Sequence, residues 1–283
     1  MRWKQFFTPV QSINSSQGKQ LISERSLDSI TILDVRQHGE YEEEHLPGAK
    51  LIPLPELNDR VGELDVNKEI MVYCAVGGRS RVAAQMLVEK GFKNVFNLSG
   101  GIKGWDSEIA FGSVDQGLEL VTGNETASET LILAYSLETG LLDFYTSMAP
   151  KVNNLEAKKL FNLLSRIEIK HQKSIFNEYR KITGNLDSQE NFEKNIVIRA
   201  IEGGLTTQEY INLFKPNWES PTEIIGIAMS IEAQALDLYQ RASERTVNKA
   251  CKHVLSQIAT EERSHLAQLG KVLESITDNE NPH

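Results

Sequence analysis

Hydrophobic and polar positions change period once along this chain. Up to about residue 105, the short β-branched runs Ile30–Val35 (ITILDV), Ile70–Cys74 (IMVYC) and Val95–Leu98 (VFNL) alternate with stretches of helical spacing. That is the pattern of buried strands joined by helices in an α/β domain. Between the last two strands, Ser80–Lys90 carries Val82, Ala83, Met86 and Leu87 at helical spacing and stops at Gly91, a residue suited to ending a helix. After Trp105 the pattern fades through a stretch containing Gly, Ser and Asp, as far as Gly123. Beyond it the 3.6-residue period runs long. Segments 124–149, 153–182, 221–244 and 247–276, punctuated by Pro150, Thr183-Gly184, Pro216 and Pro221, predict four helices. Residues 183–220 are too many for a turn but fit a single long crossover, with Thr207–Leu213 as a short helix inside it. The expected class is multidomain, α/β plus all-α: a parallel sheet flanked by helices, then a four-helix bundle with one long crossover. Domains are expected at 1–110 and 124–277, with a linker at 111–123 and a tail at 278–283. The 283 residues suit two domains of about 150 each.

Composition narrows the function classes. Hydrophobic residues are 40% and charged residues 24%, an ordinary soluble balance. The longest apolar stretch, Ile224–Ile231, is far short of the ~20 residues of a spanning helix, and mean hydropathy is −0.33. The first residues, MRWKQFFTPVQS, lack the apolar run of a secretory signal, so a cytoplasmic protein without a membrane partner is expected. A net charge of −9 repels phosphate backbones and argues against nucleic acid as a partner. Two cysteines, Cys74 and Cys251, are too few for a disulfide framework, so thiol chemistry must rest on one sulfur.

Cys74 stands where a buried strand gives way to a helix. In Cys74-Ala75-Val76-Gly77-Gly78-Arg79-Ser80 the paired glycines allow a tight curve, in which successive backbone N–H groups converge on an anion. A thiol among those donors, near a helix N-terminus and Arg79, should ionise below the free value of ~8.5 and act as a nucleophile. The first 105 residues resemble a single-domain rhodanese, a sulfurtransferase that carries sulfur as a cysteine persulfide. The resemblance rests on Leu33-Asp34-Val35-Arg36 with Glu40-Tyr41, His45-Leu46-Pro47-Gly48-Ala49 and Ile52-Pro53-Leu54, then on the Cys74 loop, Ala83-Ala84, Gly91-Phe92, Asn97–Ile102 and Gly104-Trp105. Four residues separate Cys74 from Arg79, whereas cysteine phosphatases of similar architecture use five to hold a larger phosphate. The resemblance implies that Cys74 carries the persulfide, that the N–H groups of Ala75, Val76, Gly77, Gly78 and Ser80 cradle it, and that Arg79 supports the loop or the substrate anion. Arg36 and Glu40 are expected to form a structural ion pair, and His45 to be a loop residue and not a ligand.

The bundle region repeats itself. Ser136–Tyr145 and Ser230–Tyr239 share Ser, Glu, Leu, Asp and Tyr, each pair 94 positions apart, and the same offset relates Glu168 to Glu262 and His171 to His265. The spacing Glu-x-x-His alone is weak, since it also occurs at Glu42/His45 and Glu280/His283. Phase separates the middle two. Glu168 shares a stripe with Phe161, Leu164, Ile175 and Phe176, and Glu262 one with Leu255, Ile258, Leu266 and Leu269. Glu138 and Glu232 sit likewise among Leu131, Ala134, Leu142 and Tyr145, and among Ile225, Met229, Leu236 and Tyr239. Four carboxylates facing a core repel one another unless protonated or balanced by cations, and no Lys or Arg shares their stripes. Two divalent metals balance four carboxylates, and two imidazoles complete an oxygen and nitrogen set suited to iron or manganese.

This arrangement resembles the di-iron site of ferritin-like bundles, and residues 124–276 resemble the rubrerythrin branch. The resemblance implies two iron ions, with manganese or a mixed pair as the alternative. It makes Glu138 and Glu232 terminal ligands, Glu168 and Glu262 bridges, His171 and His265 the nitrogen ligands, and Tyr145 and Tyr239 hydrogen-bond donors to them. Two departures stand out. Ala235 occupies the position of a further glutamate one turn after the third-helix ligand, and the Cys-rich iron centre usually appended is missing from this sequence. An external electron donor is therefore expected, and Cys251 reads as a small core residue. The expected function is a sulfurtransferase forming a Cys74 persulfide, from thiosulfate or a persulfide to a thiol or cyanide, joined to a di-iron oxidoreductase. A metal-binding or iron-handling protein with a persulfide-sensing or docking module of negligible turnover is the rival. A homodimer is expected by analogy.

Overall fold

A computed structural model describes residues 10–106, 108–121, 123–184, 188–194, 196 and 205–280. The chain divides into two compact units, Met1–Asp115 and Gln116–His283.

The first unit alternates strands and helices in the order β1 (Gln11–Ile13), α1 (Ser15–Glu24), β2 (Ile30–Asp34), α2 (His38–Glu43), β3 (Lys50–Leu51), α3 (Leu57–Arg60), β4 (Glu69–Tyr73), α4 (Gly78–Glu89) and β5 (Val95–Leu98). All strand pairs are parallel, in the order β1-β5-β4-β2-β3. Parallel strands bury both faces, which is why β2 and β4 are largely apolar and buried at consecutive positions rather than alternate ones. One face packs Leu33, Ile70, Val72, Ala83 and Leu87, the other Ile32, Tyr41, Met71, Tyr73 and Leu98. The apolar periodicity locates β2, β4 and β5, whereas β1 and β3 are three and two residues long and leave no such run. On α4 the buried face is Ser80, Ala83, Ala84 and Leu87. Val82, expected on that face, is 48% exposed, because it lies off the row that Ser80 begins.

The second unit holds α5 (Ala127–Met148), α6 (Leu155–Thr183), α7 (Gln189–Glu193), α8 (Thr207–Phe214), α9 (Pro221–Arg245) and α10 (Lys249–Glu280). Helices α5 and α6 form one hairpin and α9 and α10 the other, and α5 also packs on α10 and α6 on α9. The helix starts follow from local chemistry. Thr126 with Glu129 forms a reciprocal cap on α5, Asn154 caps α6, and Ser220 caps α9 ahead of Pro221. Gly184, in the left-handed conformation, closes α6. Helix α10 runs to Glu280, so the residues set apart as a tail continue the last helix as far as the described residues go. His283, and with it the Glu280/His283 spacing, lies outside them, as do parts of the 183–220 crossover.

Candidate functional site

Cys74 follows β4 directly, at the carboxyl edge of the sheet, where open α/β folds place their ligands. Its side chain is buried, and Sγ accepts from the Gly77 N–H at 3.1 Å with the Ser80 hydroxyl at 3.5 Å. Burial pushes the thiol up. The Ser80 hydroxyl and the N–H groups of Ser80, Val76 and Gly77 outweigh that and bring it below its ordinary value. Ser80 in turn donates to Asn97 Oδ1 at 2.7 Å, and Asn97 Nδ2 donates to Ser12 Oγ at 3.2 Å, so a polar chain supports the sulfur from beneath.

The loop itself is held from the side. Gly77, at φ +95°, turns the chain into α4, whose first residue is Gly78. The Ile102 and Lys103 N–H groups donate to the carbonyls of Cys74 and Ala75 at 2.8 and 3.1 Å. This approach requires Gly101, since a Cβ there would meet the Cys74 carbonyl oxygen at 2.2 Å and its φ is +59°. Val76 stands 64% exposed at the tip.

The expected Arg36–Glu40 ion pair is replaced by two others. Arg36 is buried and bonds Asp34 in bidentate fashion, from Nε to Oδ1 at 3.0 Å and from Nη2 to Oδ2 at 2.7 Å. Glu40 receives Arg79 at 2.6 and 2.7 Å. Arg36 precedes α2, so the four-residue spacing does not bring it onto the helix face of Glu40, and the nearer carboxylate of Asp34 takes it. The Arg79 guanidinium holds the Glu40 carboxyl down at about 2 against the cost of its partial burial. Arg79 thus anchors the loop to α2. His45 is buried, its Nδ1 2.8 Å from the Tyr41 carbonyl and its ring stacked on Tyr41.

In the bundle, all four predicted glutamates are buried, Glu138 on α5, Glu168 on α6, Glu232 on α9 and Glu262 on α10. They gather with the histidines into two trios, Glu138/Glu168/His171 and Glu232/Glu262/His265, whose ligand atoms lie within 4.8 Å of one another. His171 Nδ1 is 3.1 Å from Glu168 and 3.5 Å from Glu138, and His265 Nδ1 is 3.0 Å from Glu262 and 3.6 Å from Glu232. The two imidazoles stack at 3.5 Å between ring centres and 6° between planes, which brings the trios together. Burial pushes the His171 imidazolium down, but the carboxylates of Glu168 and Glu232 prevail and raise it. Burial pushes Glu232 up, and hydrogen bonds to His265 and Glu262 prevail to lower it.

A cation fits this set. Both Glu168 oxygens and Glu232 Oε2 lie buried with no well-directed hydrogen bond, among the imidazoles and the other acids of the trios. Acid oxygens and imidazole nitrogens are donors for iron or manganese. Tyr145 and Tyr239 are buried on the same two helices as Glu138 and Glu232. Sequence reasoning did not single out Gln172, buried beside His171, which donates to Thr139 Oγ1 at 3.0 Å and ties α6 to α5. The repeat mate of Gln172 is Leu266 and that of Thr139 is Ala233, so the internal repeat carries no signal for the pair. Cys251 is buried, 3.0 Å from Thr130 Oγ1.

A rubrerythrin domain matches residues 129–273, just over half of the chain, and a rhodanese-like domain matches residues 16–108. The chain belongs to the rubrerythrin family, with a rhodanese-like domain fused ahead of it. The rhodanese-like domain is similar to thiosulfate sulfurtransferase GlpE of Coxiella burnetii, 42% identical over 76 residues, which is 27% of this chain and 71% of that protein. It is also 45% identical over 78 residues to YrkF of Bacillus subtilis, covering 28% of this chain and only 42% of that relative's own length. Among solved structures, a rhodanese-like domain protein from Staphylococcus aureus is 28% identical over 37% of this chain and all of its own, with a TM-score of 0.34. Among the described residues, no helix is long and apolar enough to cross a membrane.

Proposed function

We propose that the rhodanese-like domain transfers sulfane sulfur through a persulfide on Cys74 and that the rubrerythrin domain is a di-iron oxidoreductase. The observation that carries the first half is the convergence of the Val76, Gly77 and Ser80 N–H groups and the Ser80 hydroxyl on one buried sulfur. The Cys74 thiolate attacks the outer sulfur of thiosulfate or a persulfide. A new S–S bond forms as the donor's S–S bond breaks, and the electron pair leaves with sulfite or the donor thiolate. The loop N–H groups hold the negative charge that remains on the persulfide. A thiolate or cyanide acceptor then attacks the terminal sulfur, and the electron pair returns to Cys74. Arg79, paired with Glu40, keeps the loop in place during both steps.

The orphaned oxygens of Glu168 and Glu232 support the second half. Glu138 and Glu232 would hold the metals as terminal ligands, Glu168 and Glu262 would be shared between them, and His171 and His265 would supply the nitrogen ligands, with Tyr145 and Tyr239 as donors to them. Bound iron supplies redox chemistry toward dioxygen or peroxide, with electrons from an external donor. The chain contributes a cage of buried acids and a pair of stacked imidazoles that lock ligand orientation.

Two measurements test the reading. Cys74→Ser should abolish thiosulfate:cyanide transfer, and full activity in that variant would refute the persulfide. Anaerobically reconstituted protein should hold two irons per chain, and fewer than one would refute the metal assignment. One observation favours a rival for the first domain. The only cation of the 74–80 loop, Arg79, is already engaged by Glu40, as befits a sensing or docking module for persulfides. Such a module would label at Cys74 in a single burst and turn over negligibly.

A further inference from the structure

Helices α6 and α10 part around a cavity of about 280 Å³. Its floor is apolar, with the buried Ile175 of α6 and Ile258 of α10. Its rim is polar, with Ser174, Glu178 and Lys181 facing Glu261. Each wall ends one helical turn from a ligand, since Ile175 follows His171 by four residues and Ile258 precedes Glu262 by four. The exposure of the ligands points the same way. The His171 and His265 side chains keep 8% and 11% of their surface, while no glutamate of the set keeps more than 2%. Solvent therefore reaches the trios from the imidazole side.

The charges at the rim are unequal. Glu178 is matched by Lys181 at 2.8 Å. Glu261 has the Ser174 hydroxyl at 3.4 Å, and among the described residues no lysine or arginine pairs with it. We propose that this cavity is the port through which divalent metal ions reach the two trios, with Glu261 as the capturing carboxylate and Lys181 as a charge opposing entry. The inference rests on the metal-site reading and adds a route and a rate to it. A net negative charge at the mouth raises the local concentration of cations and their association rate, while the final occupancy is set by the ligands beyond. The volume is several times the ~30 Å³ share of one water, so an ion can enter with part of its hydration shell. Dioxygen and peroxide are neutral and would not respond to these charges.

Stopped-flow absorbance of Co²⁺ binding to the anaerobic full-length apoprotein reads the rate and the end point separately. Glu261→Gln should load about three- to tenfold more slowly, and Lys181→Gln about two- to threefold faster, with the same final Co²⁺ per chain. Both differences should shrink in 0.5 M salt, as exposed charges are screened. Loading rates equal to wild type in both variants would overturn the port, as would a loss of final occupancy in Glu261→Gln at an unchanged rate. Wild-type protein that takes up no Co²⁺ would instead remove the metal-site reading, and the port with it.

Discussion

At the scale of single residues, the reactivity of Cys74 turns on Ser80. The serine has one hydroxyl proton and two acceptors, Cys74 Sγ at 3.5 Å and Asn97 Oδ1 at 2.7 Å, so it links the sulfur to the interior of the domain. Ser80→Ala removes the foremost hydrogen bond opposing the upward push of burial, and the thiol pKa should rise. The pH profile of iodoacetamide alkylation should shift upward. Sulfur transfer at neutral pH should slow by about tenfold, the worth of one hydrogen bond to a charged atom. An unshifted profile would mean that the backbone N–H groups suffice. The Glu40–Arg79 pair makes a second, smaller prediction. Both side chains are about a third exposed, so the pair contributes no more than about 1 kcal/mol. Because Glu40 is held down at about 2, that stability is present above the ordinary carboxylate range and fades as pH falls toward 2. The difference in denaturation midpoint between wild type and Glu40→Gln should therefore vanish with acidification.

At the scale of elements, the buried Asp34–Arg36 pair joins the end of β2 to the C-terminal end of α2 and to β4. Asp34 takes the Arg36 backbone N–H as well as its guanidinium, Arg36 also donates to the Glu44 carbonyl, and the guanidinium lies 5.4 Å from the Tyr73 ring centre. Asp34→Ala leaves a buried cation without its partner and should cost about 3–5 kcal/mol in chemical denaturation. Asp34→Leu combined with Arg36→Met should cost less than Asp34→Leu alone, because no charge is then stranded. This pair also marks where sequence reasoning reached its end. Periodicity reveals β2, β4, β5 and all four long helices, because each buries an apolar stripe long enough to register. It does not reveal β1 and β3, whose few residues are held by neighbours and not by pattern. Nor does it tell which carboxylate Arg36 selects, since that depends on where α2 begins. The six acids and imidazoles that the bundle gathers were legible for the opposite reason. Acids recurring on apolar stripes, twice over at one offset, conflict with burial unless something charged resides there. Gln172 carried no such conflict and no repeat, and only the fold brings it to Thr139.

At the scale of the whole molecule, two units with separate cores imply two separable stabilities. In the metal-free bundle, Glu138, Glu168, Glu232 and Glu262 crowd together, and the basic groups nearest to them are two imidazoles. Metal-free protein should therefore lose stability in its rubrerythrin domain while its rhodanese-like domain is unaffected. A ligand that binds only the folded state stabilises by about 2.7 kcal/mol at a hundredfold excess over its dissociation constant. Adding Fe²⁺ anaerobically should raise one of two calorimetric transitions and leave the other in place, and a chelator should reverse the shift. Cys74→Ser should leave the metal-sensitive transition where it is. Glu168→Leu should reverse the order within that transition. Without metal the variant should be more stable than wild type, since one buried negative charge is gone, and with metal it should be less stable, since a ligand is gone too. A Glu168→Leu protein that is weaker in both states would mean that Glu168 is satisfied without a cation, and the electrostatic basis for metal in the bundle would fall.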